Sequence, residues 1–143
     1  MSIKQLSVFL ENKPGELDAL TRVLAAHSID MRALSLSETN EFGIVRLIAD
    51  RPLDAATVLK EAGYVATVTP VLGVSIPNVP GGLNKVLGVL SEAGINLEYG
   101  YAFLGGTPGS AYMVFRVADN AAAAAALQAR GIQVVDDSAI QAL

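Results

Sequence analysis

The sequence NKPGEL at residues 12–17 returns as NVPGGL at residues 78–83. In both copies the Pro-Gly pair predicts a forced turn. Leu17 and Leu83 each begin a series of apolar residues with helical spacing. Each stretch, called here the first loop and the second loop, therefore leads into the N-terminus of a helix. Unpaired backbone N–H groups at such an end attract an anion, for instance a carboxylate.

The similarity between the two halves extends beyond the loops. Asp30 corresponds to Asn96 at the offset that separates the loops, 78 − 12 = 66 residues. Further along, Asp50 corresponds to Asp119 at an offset of 119 − 50 = 69, which predicts three additional residues in the second copy. Matched turns and matched apolar positions indicate an internal duplication. The boundary between the copies is expected near residues 70–73.

The apolar pattern predicts the order β-α-β-β-α-β in each half. In the first half, strands are predicted at 3–11, 29–37, 44–49 and 64–69, and helices at 16–27 and 52–62, with Asp50 as the cap of the second helix. In the second half, strands are predicted at 71–76, 95–104, 111–117 and 132–136, and helices at 82–93 and 120–130. The expected fold is α+β: two ferredoxin-like domains, 1–70 and 71–143, each an antiparallel sheet with its helices on one face.

Composition excludes several classes of function. The chain has 143 residues, is 52% hydrophobic and lacks cysteine, so neither disulfides nor a cysteine-based metal site is expected. Its net charge is −4 and its basic residues are scattered, which argues against a nucleic-acid partner. No apolar run approaches the roughly 18 residues of a membrane helix, and residues 1–5 do not begin a signal peptide. We expect a cytoplasmic protein without a metal or cofactor.

Two segments resemble a known family. Residues 11–17, followed by Leu24 and residues 29–31, resemble the start of an ACT domain, and residues 77–83 and 94–97 resemble the start of a second one. The resemblance covers nearly the whole chain, which looks like a stand-alone tandem ACT protein. It implies a small, non-catalytic regulatory module that binds a free amino acid and signals to a metabolic enzyme.

The resemblance also implies the site. In amino-acid-binding members the ligand lies between two domains, and an Asn of the loop and an Asn after the first helix contribute to binding. The second copy has both as Asn78 and Asn96, whereas the first has Asn12 and Asp30. The candidate ligand-binding residues are Asn12, Pro14, Gly15, Leu17, Asp30, Met31, Asn78, Val79, Pro80, Gly81, Gly82, Leu83, Asn96 and Leu97.

Simple chemistry distinguishes the two loops. A carboxylate can accept hydrogen bonds from backbone N–H groups of the turn, and glycines permit close approach of the backbone. An ammonium group needs oxygen acceptors, which Asn side chains or Asp30 supply. Glu16 places a like charge beside a carboxylate in the first loop, whereas Gly82 does not in the second. We therefore expect the carboxylate at the second loop and the ammonium at Asp30.

Other interpretations remain open at this stage. Asn before Pro-Gly is also good turn chemistry without any ligand. The chain could be a regulatory subunit that contacts a biosynthetic enzyme and binds no ligand of its own. Catalysis is the least favoured function, because the sequence offers no paired nucleophile and base or clustered carboxylates. A homodimer is expected, since two small sheets leave edges uncovered.

Overall fold

The computed structural model describes residues 2–38 and 41–143. The polar sequence at 38–43 predicts a hairpin loop between the strands at 29–37 and 44–49. Its residues Thr39 and Asn40 lie outside the described residues, as does Met1. The elements in chain order are β1 (Ile3–Glu11), α1 (Glu16–Ala26), β2 (Met31–Glu38), β3 (Phe42–Ala49), α2 (Pro52–Glu61), β4 (Ala66–Pro77), α3 (Gly82–Glu92), β5 (Tyr99–Ala102), β6 (Ser110–Arg116), α4 (Asn120–Ala129), β7 (Gln133–Val135) and α5 (Asp137–Gln141). This order confirms the predicted fold class of two βαββαβ units with antiparallel sheets.

The chain divides into two compact units. The first unit is Lys4–Thr69, and the second is Pro70–Leu143 together with the residues before Lys4. The predicted strands 64–69 and 71–76 are a single strand, β4, and in this respect the prediction was wrong. Proline fixes φ at a value compatible with extended chain, so Pro70 does not have to end a strand. The sequence-based division at 70/71 stays a prediction for the domains.

The first unit has the strand order β2-β3-β1-β4, with α1 and α2 on one face. Leu6 and Val8 of β1 pair with Leu47 and Val45 of β3 and contribute to its core. Helical residues close this core, and the largest of them are Leu20, Leu24 and Leu59. The alternation of apolar and polar residues along β1 follows from this arrangement, because successive side chains of a strand point to opposite faces.

In the second unit, β6 lies between β4 and β5, and β7 pairs with β4. Its core contains Leu72 and Val74 from β4, Phe115 from β6, and Leu90 and Leu127 from α3 and α4. The tail, which the sequence pattern left unassigned, forms the short helix α5. The Asp136 carboxylate begins it by accepting a hydrogen bond of 2.9 Å from the Ala139 N–H.

Strand pairing corrects the alignment of the two copies. Val45 pairs with Val8 in the first unit, and Met113 pairs with Val74 in the second. The offset between the β1 and β4 positions is 74 − 8 = 66, whereas between the β3 and β6 positions it is 113 − 45 = 68. The second copy therefore has two additional residues before this point, and the prediction of three was wrong.

The same shift explains an error at the second helix of the first unit. Its N-cap is Arg51, and the Asp50 carboxylate instead accepts a hydrogen bond of 3.1 Å from the Asp30 N–H. Asp50 thereby joins the beginning of β2 to the end of β3. At the equivalent of Arg51, Asp119 does cap its helix, accepting a hydrogen bond of 3.0 Å from the Ala122 N–H.

Candidate functional site

Both loops have the predicted turn geometry. Gly15 and Gly81 adopt the left-handed conformation, with φ of 85° and 83°, and the helix begins at the next residue in each case. The Gly15 carbonyl accepts the first helical hydrogen bond from Ala19 at 2.9 Å, and the Gly81 carbonyl accepts one from Lys85 at 3.0 Å. A Cβ atom at either glycine would meet nothing within 4 Å. Backbone conformation, rather than crowding, therefore calls for glycine at these two positions.

The free donors of each loop begin at the second helical residue. The N–H of the first helical residue, Gly82, is used within the turn and donates to the Val79 carbonyl at 3.0 Å. Within residues 2–38 and 41–143, the N–H groups of Leu83 and Asn84 have no acceptor, and the corresponding pair in α1 has none either. Each loop thus presents two unpaired donors at the positive end of a helix dipole.

Gly82 has a structural reason that sequence reasoning missed. A Cβ atom there would fall far inside the van der Waals distance of the Pro77 carbonyl oxygen. The equivalent residue of the first loop is Glu16, so the first loop accommodates a side chain at this position. The absence of a charge at Gly82 is therefore a consequence of how the end of β4 approaches α3.

The first loop borders a charged cavity of about 270 Å³. The Asn12 amide donates a hydrogen bond of 3.0 Å to the Glu38 carboxylate, which comes from the end of β2. Lys13 Nζ lies 3.0 Å from Glu11 and 3.6 Å from Glu16. The hydrogen bond to Glu11 and the negative charges of both carboxylates raise the pKa of Lys13. The lining residues are Leu10, Glu11, Asn12, Lys13, Glu16, Leu17, Leu36, Glu38 and Gly43.

The second loop borders a cavity of about 350 Å³ whose described lining residues carry no formal charge. The Asn78 N–H donates to the Gly109 carbonyl at 3.0 Å, which joins the loop to residues 105–109, called here the glycine-rich hairpin, between β5 and β6. Within that hairpin, Thr107 Oγ1 lies 3.0 Å from the Tyr112 hydroxyl, and Phe103 packs edge-on against Tyr112. The lining residues are Asn78, Ala102, Phe103, Gly105, Gly106, Thr107, Pro108, Gly109, Ser110, Ala111 and Tyr112.

The structure brings only part of the predicted set together at these cavities. Among the predicted residues, Asn12 and Leu17 line the first cavity and Asn78 lines the second. The residues predicted after the first helix of each copy line neither cavity; these are Asp30, Met31, Asn96 and Leu97. Of the remaining predicted residues, Gly82 and Leu83 begin α3, and the others lie in the turns, where Pro14, Val79 and Pro80 are exposed.

Asp30 is already engaged by its own neighbours. Its carboxylate forms an ion pair with Arg32. Its backbone N–H donates to the Asp50 carboxylate at 3.1 Å, and its backbone carbonyl accepts a hydrogen bond of 3.0 Å from the Asp50 N–H. Met31 and Leu97 pack against the cores of their units, while Asn96 is exposed. Glu38 and the 105–109 hairpin, which sequence reasoning did not include, contact the loops instead. Only their place in the chain could have indicated them, because Glu38 ends β2 and the 105–109 hairpin follows β5.

Two absences hold for residues 2–38 and 41–143. No helix there is long and apolar enough to cross a membrane. In the same ranges, no cluster of three or more His, Asp or Glu side chains is placed to hold a metal ion.

The comparisons with known proteins identify the family of the chain. The sequence profile of the ACT domain pair matches residues 1–143, and the chain therefore belongs to this family. A protein of Bacteroides thetaiotaomicron is similar in structure with a TM-score of 0.92 and 38% sequence identity, over 100% of this chain and 98% of that one. No curated protein matches the sequence.

Two more distant structures share the fold. The ligand-free regulatory subunit of aspartate kinase from Thermus thermophilus has a TM-score of 0.65 and 18% identity, over 88% of this chain and 91% of that one. The regulatory subunit of aspartate kinase from Thermus flavus has a TM-score of 0.60 and 17% identity, over 88% and 90%.

Proposed function

We propose that this ACT domain pair is a non-catalytic regulator that binds a free amino acid at its loops and passes the state of occupancy to a metabolic enzyme. The observation that carries the proposal lies at the start of α3, where among the described residues the N–H groups of Leu83 and Asn84 have no acceptor and Gly82 brings no carboxylate. Such a helix end stabilises a carboxylate through its hydrogen bonds and its dipole. Regulation of this kind requires that the ligand bind one arrangement of the protein more tightly than another.

The surroundings of the first loop favour an ammonium group over a carboxylate. Glu11, Glu16 and Glu38 surround its cavity, with Lys13 as the single cation among the described lining residues. These carboxylates repel a ligand carboxylate and favour an ammonium group. Arg32 already neutralises Asp30. We therefore assign the ammonium acceptors at this loop to the side-chain amide oxygen of Asn12 and the carboxylate of Glu38.

A partner enzyme is proposed by analogy. Two of the similar structures are regulatory subunits of aspartate kinase, although their low identity to this chain supports the fold alone. The alternative function, a regulatory subunit that binds no ligand, draws support from the exposure of Val79 and Leu83 beside the second loop. Exposed apolar side chains there could contact another protein rather than a small molecule. The cytoplasmic location and the homodimer expected from uncovered sheet edges stay predictions.

The test is a thermal-shift panel of the twenty common amino acids on protein refolded from denaturant to remove carried-over ligand. An amino acid present at one hundred times its dissociation constant should add about 2.7 kcal/mol of stability. Asn78→Ala should abolish the shift, because this side chain lines the second cavity. Asn96→Ala is the matched control, since this exposed Asn lies outside both cavities.

The outcomes separate the two functions. A shift given by one amino acid or a small group, lost in Asn78→Ala and kept in Asn96→Ala, supports a sensor and names its ligand. A flat panel with stripped, folded protein contradicts the sensor. In that case, capture of an amino-acid biosynthetic enzyme by the tagged protein would support the ligand-free alternative.

A further inference from the structure

The cavities of the two loops lie at equivalent places in the two units. The Asn12 N–H donates to the Glu41 carbonyl at 3.0 Å, and the Asn78 N–H donates to the Gly109 carbonyl at 3.0 Å. Glu41 and Gly109 are 109 − 41 = 68 residues apart, which is the offset that strand pairing defines between β3 and β6. Each loop is therefore joined in the same way to the residue that precedes β3 or β6.

The linings of the two cavities share three positions. Leu36 and Ala102 are equivalent because each lies opposite the matched residue of the next strand, Val45 in the first unit and Met113 in the second. The shared pairs are Asn12 and Asn78, Leu36 and Ala102, and Gly43 and Ala111. An alanine of the second cavity thus replaces a leucine of the first, which leaves room beside the second loop.

The charged residues in the described lining of the first cavity have uncharged equivalents in the second unit. The four pairs, at the offset of 66 residues that separates the loops, are Glu11 and Pro77, Lys13 and Val79, Glu16 and Gly82, and Glu38 and Leu104. Lys13 and Glu38 line one cavity, so their equivalents Val79 and Leu104 stand beside the second loop.

Two of these equivalents are exposed apolar side chains. Val79 is 61% exposed and Leu104 is 64% exposed, so packing within the unit does not explain either of them. Apolar surface in contact with water is unfavourable, and a ligand that covers it gains binding free energy. The second loop therefore presents uncovered apolar surface near the N–H groups of Leu83 and Asn84.

We propose that the amino acid bound at the second loop has a large apolar side chain, aliphatic or aromatic. This inference rests on the proposed function, which places the ligand carboxylate at the N–H groups of Leu83 and Asn84. The ligand side chain then covers Val79 and Leu104 and occupies the room left by Ala102. The surroundings of the loop, rather than its backbone, thereby select the ligand.

Other amino acids fit this place less well. A charged side chain would lose water beside described lining residues that carry no formal charge to balance it. A polar side chain would compete with a bond that already exists, since the hydroxyls of Thr107 and Tyr112 lie 3.0 Å apart. Glycine would leave the exposed apolar surface uncovered.

The experiment is isothermal titration calorimetry on refolded protein with free amino acids as probes. The apolar probes are leucine, isoleucine, valine, methionine and phenylalanine, and the comparison probes are glycine, serine, lysine and glutamate. At least one apolar probe should bind with a dissociation constant roughly tenfold or more below that of every comparison probe, because apolar contact of this kind discriminates by about that factor.

Two variants locate the contact. Leu104→Ala should raise the dissociation constant of the best apolar probe by roughly fivefold to tenfold, because it removes buried methylene contacts. Val79→Lys gives the second loop the residue of the first, and it should reduce the preference for that probe over glutamate by roughly tenfold or more. Leu53→Ala is the matched control: it shortens a leucine of α2 that is 62% exposed, and it should change neither value by more than about twofold. Circular dichroism verifies that every variant is folded.

The outcomes separate this inference from the proposed function. Tightest binding of glycine, serine, lysine or glutamate overturns the inference and leaves the proposed function in place. Apolar binding that ignores both Leu104→Ala and Val79→Lys overturns it as well, because the ligand side chain then lies elsewhere. Absence of binding by every probe overturns the inference, and the panel of all twenty amino acids then decides the proposed function.

Discussion

The two loops have nearly the same backbone and different chemistry. In both, a left-handed glycine precedes the helix and accepts its first hydrogen bond, and two further N–H groups have no acceptor in the part of the chain that the structure describes. The first loop is surrounded by carboxylates and one lysine, whereas the second has an uncharged cavity beside the glycine-rich hairpin. The duplicated Pro-Gly turn therefore fixes how donors are presented. The surrounding side chains decide what each set of donors attracts.

The strongest test of this comparison is Gly82→Ala. The new Cβ would collide with the Pro77 carbonyl, and because that atom belongs to the backbone, the end of β4 or the start of α3 must move. We expect a loss of about 3 kcal/mol in the free energy of unfolding, at the upper end of the usual cost of overpacking. Urea denaturation followed by circular dichroism measures it.

Glu16→Ala is the matched variant in the first loop. This position already bears a side chain, so the substitution should change stability by less than about 0.5 kcal/mol, as is usual for surface positions. Equal losses in the two variants would show that the loops do not differ at this residue.

A smaller and symmetrical effect is expected at the turn glycines. Gly15→Ala and Gly81→Ala place a Cβ in open space, so the cost is that of the left-handed conformation alone, about 1 kcal/mol each. The same denaturation experiment should return similar losses for both. If Gly81→Ala cost several times more than Gly15→Ala, the two turns would not be equivalent, contrary to their φ values.

These cases indicate what the sequence can predict. The Pro-Gly turns and the apolar spacing after Leu17 and Leu83 gave the helices, their starting residues and the duplicated fold, because such signals are local. The number of additional residues in the second copy could not be predicted from such local signals. Asp50 and Asp119 look equivalent in the sequence, but strand pairing aligns Asp119 with Arg51.

The candidate site was predictable to a lesser extent. Asn12 and Asn78 border cavities, and their loops supply free donors, as the turn chemistry suggests. The partners of these loops are distant in sequence: Glu38 is 26 residues from Asn12. Helical or strand periodicity cannot bring such residues together, since their proximity depends on how the hairpin packs beside the loop. The ion pair between Asp30 and Arg32 likewise could not be predicted from the sequence.

The helix ends provide a further comparison between the copies. Asp119→Ala removes the N-cap of α4 and should cost about 1 kcal/mol. At the equivalent position, Arg51 donates hydrogen bonds of 2.9 Å to the carbonyls of His27 and Ser28, just after α1. Arg51→Ala should therefore cost less, about 0.5 kcal/mol, because water can replace these exposed bonds. Thermal unfolding compares the two variants, and a larger loss from Arg51→Ala would contradict this ranking.

The smallest expected effect concerns the charges of the first loop. The pKa of Lys13 is raised by the hydrogen bond to Glu11 and by the two carboxylates, so the folded protein holds this proton more tightly than the unfolded chain does. Its contribution to stability is therefore complete at neutral pH and is lost as the pH rises through the raised pKa. Because Lys13 is exposed, this contribution is slight and weakens with salt. NMR titration of the Lys13 side chain measures its pKa, and Glu11→Gln should lower that pKa because it removes the first-loop carboxylate that accepts the hydrogen bond. If Glu11→Gln leaves the pKa of Lys13 unchanged, the charged surroundings of the first loop do not act on its lysine in solution.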